Sequence, residues 1–185
     1  MIDTDVSGID FSGKDLSGAD LRGVDLNNAN LTGANLSGAH LWQAKLRKVA
    51  LRDTDLSGMD FSEMDLRGAD LRGVNLSGAN FWGAKLYRTN LTGANLSGAR
   101  LSNADLSQSE LTGADLSNAE LYNTQLIGAN LSEANLAGAD LQKAQLTNTN
   151  LHRANLTSAW LASAQLQDAD LSQANLFKST LNSAN

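Results

Sequence analysis

Cysteine and proline are both absent from this 185-residue chain. The missing cysteine excludes disulfides, thiolate metal sites and a thiol nucleophile. Long apolar runs are absent as well: nothing approaches the about 18 consecutive apolar residues of a membrane helix. The opening "MIDTDVSGID" has neither the basic start nor the apolar stretch of a signal peptide, so the expected address is the cytoplasm. An excess of positive charge is lacking too, with 14 Lys and Arg against 20 Asp and Glu, which argues against a general nucleic-acid binder.

What is present is a repeat. The ten residues "NLTGANLSGA" at 30–39 return unchanged at 90–99, and from Val6 to Leu181 every fifth residue is apolar, giving 36 centres of which 32 are Leu. The others are Val6, Phe11, Phe61 and Phe81. Two residues before each centre stands Ala, Val, Thr or Ser, except at Ile9, Lys14, Met59 and Met64. One residue before it, 24 of the 36 positions hold Asp or Asn, and all 16 glycines lie two residues after a centre.

Neither regular element accepts this spacing. Five residues of α-helix turn by about 500°, which would spread the leucines around the cylinder. In an unbroken strand an odd spacing would send successive leucines to opposite faces. A very short extended piece that points the small residue and the Leu inward, followed by a corner, satisfies both. Glycine confined to a single slot suits that corner, where φ above zero penalises a Cβ. Repeated corners make a coil.

A period of 20 sets the expected number of sides. Trp42, Trp82 and Tyr122 are each 40 residues apart, and Asp25, Lys45, Asp65, Lys85 and Asp105 step by 20 with alternating sign. With four pentads per coil and coils about 4.8 Å apart, those charges form a vertical ladder of opposite neighbours.

Segments such as "ADLRG" at 69–73, "ANLTG" at 29–33 and "ANLSG" at 34–38 resemble the A(D/N)LXX unit of the pentapeptide repeat proteins. The resemblance covers nearly the whole chain. It implies an all-β fold, a right-handed quadrilateral parallel β-helix (a solenoid) of about nine coils, with 1–185 as one domain and the register running over 4–185. The preferred hand of parallel crossovers agrees, and the rod would be about 43 Å long. A lone pentad buries too little to offset its ordering entropy, so stability must come from stacking. Lys14 occupies an inward slot in the first coil, and "LNSAN" closes the chain without a helix. These ends are expected to associate end to end or as a homodimer.

Chemistry finds few footholds. His40 and His152 lie about five coils apart in outward slots, well over 20 Å from one another at that coil spacing. Serines follow the repeat without a base and orienter beside them. The Asp residues before successive centres fall on different sides, and no calcium loop is seen. A prism filled by Leu and Ala has no substrate cavity. No enzyme, cofactor or metal is expected, and no membrane partner.

Departures from the repeat stand out against this background. "LWQAKLRKV" at 41–49 and "FWGAKLYRT" at 81–89 are imperfect copies two coils apart. They bring Trp42, Lys45, Arg47 and Lys48 above Trp82, Lys85, Tyr87 and Arg88, with Arg67 between and Arg52 and Arg72 around the next corner. Exposed Trp and Arg are enriched at binding hot spots, so these eleven residues form the candidate patch for a protein partner. A non-catalytic scaffold presenting flat faces is the favoured function. The family suggests an alternative: some members protect DNA topoisomerases such as gyrase by resembling duplex DNA, although the insertions or C-terminal helix of those members are absent here. A serine column from Ser17 to Ser117 suggests a third class, ice or crystal-surface binding.

Overall fold

A computed structural model describes residues 4–185; the first three residues of the expected domain lie outside the described ones. The chain winds as a parallel β-helix. Every bridge is parallel and joins residues 20 apart, as in Asn75↔Asn95↔Asp115↔Asn135, and bridged positions recur every five residues. Four columns therefore run along the coil, named here by His40, Lys45, Ala50 and Asp55.

The pentad around Leu31 shows how the five letters are fixed. The amide of Asn30 donates to the Ile9 carbonyl of the preceding coil, and those of Leu31 and Gly33 donate to Ala50 and Arg52 of the following one. The amide of Ala34 closes a turn on the Leu31 carbonyl at 3.0 Å. Only the Thr32 amide is left, and the Asn30 side chain takes it, Oδ1 accepting at 3.1 Å. Buried or half-buried amides must find an acceptor, and Asp or Asn one residue before the centre supplies it locally. Ser7 on Asp5, Ser62 on Asp60 and Ser117 on Asp115 repeat the arrangement.

The corner itself is a turn with φ above zero only at its third residue, 66° at Gly33, which defines type II. Asn28, Lys48 and Arg88 adopt the same conformation at φ of 60°, 56° and 57°. No β-branched residue occupies this slot, in keeping with the steric penalty it would meet there.

Centres and small residues point inward and fill one continuous core from Val24 to Ala164. Phe61 and Phe81 stack in adjacent coils with ring centroids 5.1 Å apart and planes at 11°. Buried hydroxyls in the small slot are satisfied by carbonyls, Thr89 on Leu86 at 2.6 Å and Thr124 on Leu101 at 2.8 Å. Lys14, whose slot points inward by sequence, is exposed in the first coil described, and Leu166, Leu171 and Leu176 are only half-buried. No helix among the described residues is long and apolar enough to cross a membrane.

One junction is not fastened like the rest. Among the described residues no bridge joins Asn35 to Asp55, His40 to Asp60 or Lys45 to Asp65, whereas Asn30↔Ala50↔Asp70 holds. The coil of 31–50 thus meets the coil of 51–70 along the Ala50 column and at the corner before it, where the Lys48 amide donates to the Arg67 carbonyl at 3.0 Å, and the bridges of the other three columns are broken. Met59 and Met64 occupy small-residue slots in the upper coil, above Ala39 and Ala44. Their own carbonyls stay bonded to the coil beyond, accepting from Asn80 and Lys85 at 2.9 Å each. The extra volume is therefore taken up below, where overfilled packing forces backbone apart. Two clefts mark the opening, of about 510 Å³ and 350 Å³. Both flank the His40 column, two columns along the chain from the intact Ala50 column.

Candidate interaction face

The eleven patch residues fall on three adjacent columns. Trp42 and Trp82 stand on the His40 column; Lys45, Arg47, Lys48, Arg67, Lys85, Tyr87 and Arg88 on the Lys45 column; Arg52 and Arg72 on the Ala50 column, as their bridged neighbours place them. The fold brings the two tryptophans into one line and spreads the basic residues around two corners.

Most of that basic charge is already engaged. Where Asp precedes a centre and Arg follows it, the guanidinium folds back on the carboxylate that caps its own corner. Arg67 Nε donates to Asp65 at 2.8 Å and Arg72 Nε to Asp70 at 2.8 Å, each with a second bond through Nη2. Arg47 and Arg52 reach the same two carboxylates at 3.9 and 3.3 Å, and Lys45 holds Asp25 at 3.1 Å. The Arg67 guanidinium, and behind it the corner amide, holds the Asp65 carboxyl below its ordinary range; Arg72 does the same for Asp70. These pairs are half exposed, where each is worth less than about 1 kcal/mol. Arg88 lies over the Tyr87 ring at 5.0 Å. Of the alternating charge ladder, Lys45 meets Asp25, while Asp65 turns instead to its neighbouring arginines.

The larger cleft opens in the patch itself, with Trp42, Lys45 and Arg47 on one coil facing Glu63, Met64 and Asp65 on the next. Arg47 to Asp65 is the ion pair that crosses this mouth. The two histidines stay apart: His40 is exposed in its column, and His152 Nδ1 lies 2.8 Å from Ser172 Oγ.

Sequence reasoning about the patch missed Tyr122 and Trp160. Both lie on the His40 column with Trp42 and Trp82, and the four rings are 37%, 54%, 66% and 48% exposed, respectively. All three tryptophans of the chain thus share one face. Trp160 was concealed by its slot, one residue before a centre instead of one after. The signal was there all the same: that slot favours Asp or Asn to cap the corner, and an exposed Trp forgoes the cap.

The family model described as pentapeptide repeats matches in eight copies, over residues 1–38, 34–73, 44–83, 54–93, 94–132, 129–164 and 154–185. The chain is similar to HetL, a pentapeptide repeat protein involved in heterocyst differentiation regulation from the cyanobacterium Nostoc sp. strain PCC 7120. It is 32% identical over 99% of this chain and 87% of that one, with a TM-score of 0.41. It is also similar to the plasmid-mediated fluoroquinolone resistance protein QnrB1 in a trypsin-treated form, at 21% identity, 97% and 90% coverage and a TM-score of 0.60. That second likeness concerns the fold alone. No curated protein matches the chain in a sequence search. With family copies spanning the chain from end to end and the 20-residue bridge period beneath them, the chain belongs to the pentapeptide repeat family.

Proposed function

We propose that residues 1–185 form one right-handed, four-sided β-helix of nine coils, the 36 pentads taken four to a turn, and that it serves as a non-catalytic scaffold for a protein partner. The observation that carries this reading is the His40 column, where Trp42, Trp82, Tyr122 and Trp160 are all exposed on a fold whose centres and small residues fill one continuous core from Val24 to Ala164. Exposed aromatics aligned on one face are the residue types that anchor protein interfaces. The basic residues of the neighbouring columns act at the rim, where charge governs approach more than affinity. The test is a pull-down from cell extract with Trp42→Ser and Trp82→Ser combined. Capture of the partner is expected to be abolished, and unchanged capture overturns the reading.

The alternative of a duplex-DNA mimic that protects gyrase draws on the rod shape and the net charge of −6. Against it, Arg47, Arg52, Arg67 and Arg72 interleave with Asp65 and Asp70, so this part of the surface lacks the continuous negative charge of a phosphate backbone. A gyrase supercoiling assay with a fluoroquinolone separates the two: protection would favour the mimic.

A further inference from the structure

We infer that the His40 face binds a proline-rich segment in the polyproline II conformation, with a basic residue between its prolines. This rests on the scaffold reading and names the class of partner. Trp42, Trp82 and Tyr122 occupy the same slot of the repeat, two coils apart at each step. Between Trp82 and Tyr122 the ladder is unbroken through Asn80↔Arg100↔Glu120, so the backbone positions that carry the rings repeat every ~9.6 Å along the axis. A polyproline II helix turns once in three residues at 3.1 Å each, about 9.3 Å. Prolines at every third position of a ligand lying along the axis therefore meet successive rings in register, the aromatic docking used by other proline-recognition surfaces. The open junction lies between Trp42 and Trp82, so the tight match belongs to Trp82 and Tyr122, with Trp42 extending the line.

Hydrogen bonding fits the same ligand. Proline lacks an N–H, and a polyproline II backbone leaves its carbonyls free, so the ligand presents acceptors. The indole N–H groups of Trp42 and Trp82 have no acceptor among the described residues, and indole can only donate. The Tyr122 hydroxyl accepts from Lys143 Nζ at 2.7 Å, which leaves its own proton to donate. Charge fits as well. Asp60, Glu63, Glu120 and Asp140 on this face outnumber Arg100 and Lys143, Glu120 being paired with Arg100 at 3.6 Å. Asp60 and Glu63 lie in the coil between the two tryptophans without a cationic partner among the described residues, placed to receive a Lys or Arg flanked by prolines. The same negative face disfavours nucleic acid.

Fluorescence polarisation of a labelled ten-residue peptide, Pro-Ala-Lys-Pro-Ala-Ala-Pro-Ala-Ala-Pro, tests the inference on the full chain. Saturable binding is expected. Trp82→Ala and Tyr122→Ala should each weaken it about tenfold, a loss in the range of interface hot spots, and Tyr122→Phe, which keeps the ring, should weaken it less. Phe177→Ala, an exposed ring on the Asp55 column and off this face, should leave it unchanged. Asp60→Asn with Glu63→Gln should remove the preference for this peptide over one with Ala in place of Lys. Unaltered circular dichroism confirms that the variants fold. The inference is overturned if binding fails to saturate by about 1 mM, if a same-composition peptide with clustered prolines binds equally, or if a neutral oligosaccharide or a single-stranded oligonucleotide displaces the ligand. Partner capture that survives a negative peptide titration sinks this inference alone; loss of both sinks the scaffold reading with it.

Discussion

From Ala50 to Thr180 each column of bridges runs without a gap, whereas three of the four columns break between the coil of 31–50 and the coil of 51–70. The two regions also cap their corners differently. From Asp5 to Asp70 the capping slot holds nine Asp and two Asn; from Asn75 to Asn175 it holds four Asp and nine Asn. The oxygen that accepts the corner amide is the same in both, but the asparagine adds an amide that donates along the column, as Asn95 does to Asn75 and Asn155 to Asn135. From Asn75 on, the unbroken region is thus fastened in part by uncharged ladders, with Asn130 on Glu110, Asn135 on Asp115 and the Arg100–Glu120 pair keeping some charge in them, and by small inward residues. The other is fastened by carboxylates and arginines around an overfilled coil. In a solenoid, where stability is a sum over neighbouring interfaces, the weakest junction decides where the rod yields first.

The largest expected effect comes from relieving the overfilling. Met59→Ala with Met64→Ala removes core volume, a change that ordinarily costs 2–5 kcal/mol per residue. Here the opposite sign is expected, a gain of about 1–3 kcal/mol in urea unfolding, because the coils can then close and the amides of Leu36, Leu41 and Leu46 regain their partners. Ala139→Met with Ala144→Met, the same slots in the unbroken region, should lose a similar amount. Slower hydrogen exchange at Leu36, Leu41 and Leu46 is the accompanying signature. A destabilised methionine double variant would show that these side chains fill space instead of forcing it open.

Acid should separate the two regions next. Nine aspartates have carboxyls held below their ordinary range, mostly by corner amides and serine hydroxyls and, at Asp20, Asp65 and Asp70, by arginine. Eight of the nine lie at or before residue 70. A lowered carboxyl contributes stability above its unfolded value, about 3.9, and loses it as pH falls through its folded value, which for Asp20 is about 2. Stability of the first region should therefore decline between pH ~4 and ~2 while the asparagine-capped region holds. Single-tryptophan variants retaining Trp42 or Trp160 report the two regions separately by fluorescence. Coincident acid transitions would contradict the comparison.

Much of this was legible in five letters. The leucine spacing, the single glycine slot and the 20-residue recurrence of Trp42, Trp82 and the charged ladder specify corners and columns, because each is a statement about which positions share an environment. The role of the Asp or Asn was visible only as a frequency, since the amide it caps is backbone and leaves no letter of its own. Met59 and Met64 were marked as exceptions, yet their consequence depends on which neighbouring coil gives way. The basic patch was read from proximity across coils, whereas Arg67 and Arg72 fold back two residues along the chain, a pairing that needs the corner geometry. Trp160 escaped because the alignment of aromatics was sought within one slot, when the face is shared by two.

The smallest expected effect concerns the one column that still crosses the open junction. Ala50 stands between Asn30 and Asp70 in that column, and as alanine it cannot cap the Arg52 amide. Ala50→Asn supplies the missing acceptor, and its side-chain amide can donate to Asn30 Oδ1 in the manner of Asn155 on Asn135. An exposed hydrogen bond of this kind is worth about 1 kcal/mol net, so a small rise in the urea midpoint is expected, with slower exchange at Leu31 and Leu51. Combining Ala50→Asn with the two methionine replacements then sharpens the comparison. Simple addition would mean that the Ala50 column is already at its resting spacing and independent of the open side. A gain larger than the sum would mean that closing the three broken columns also tightens the fourth, and that the junction opens and shuts as one unit.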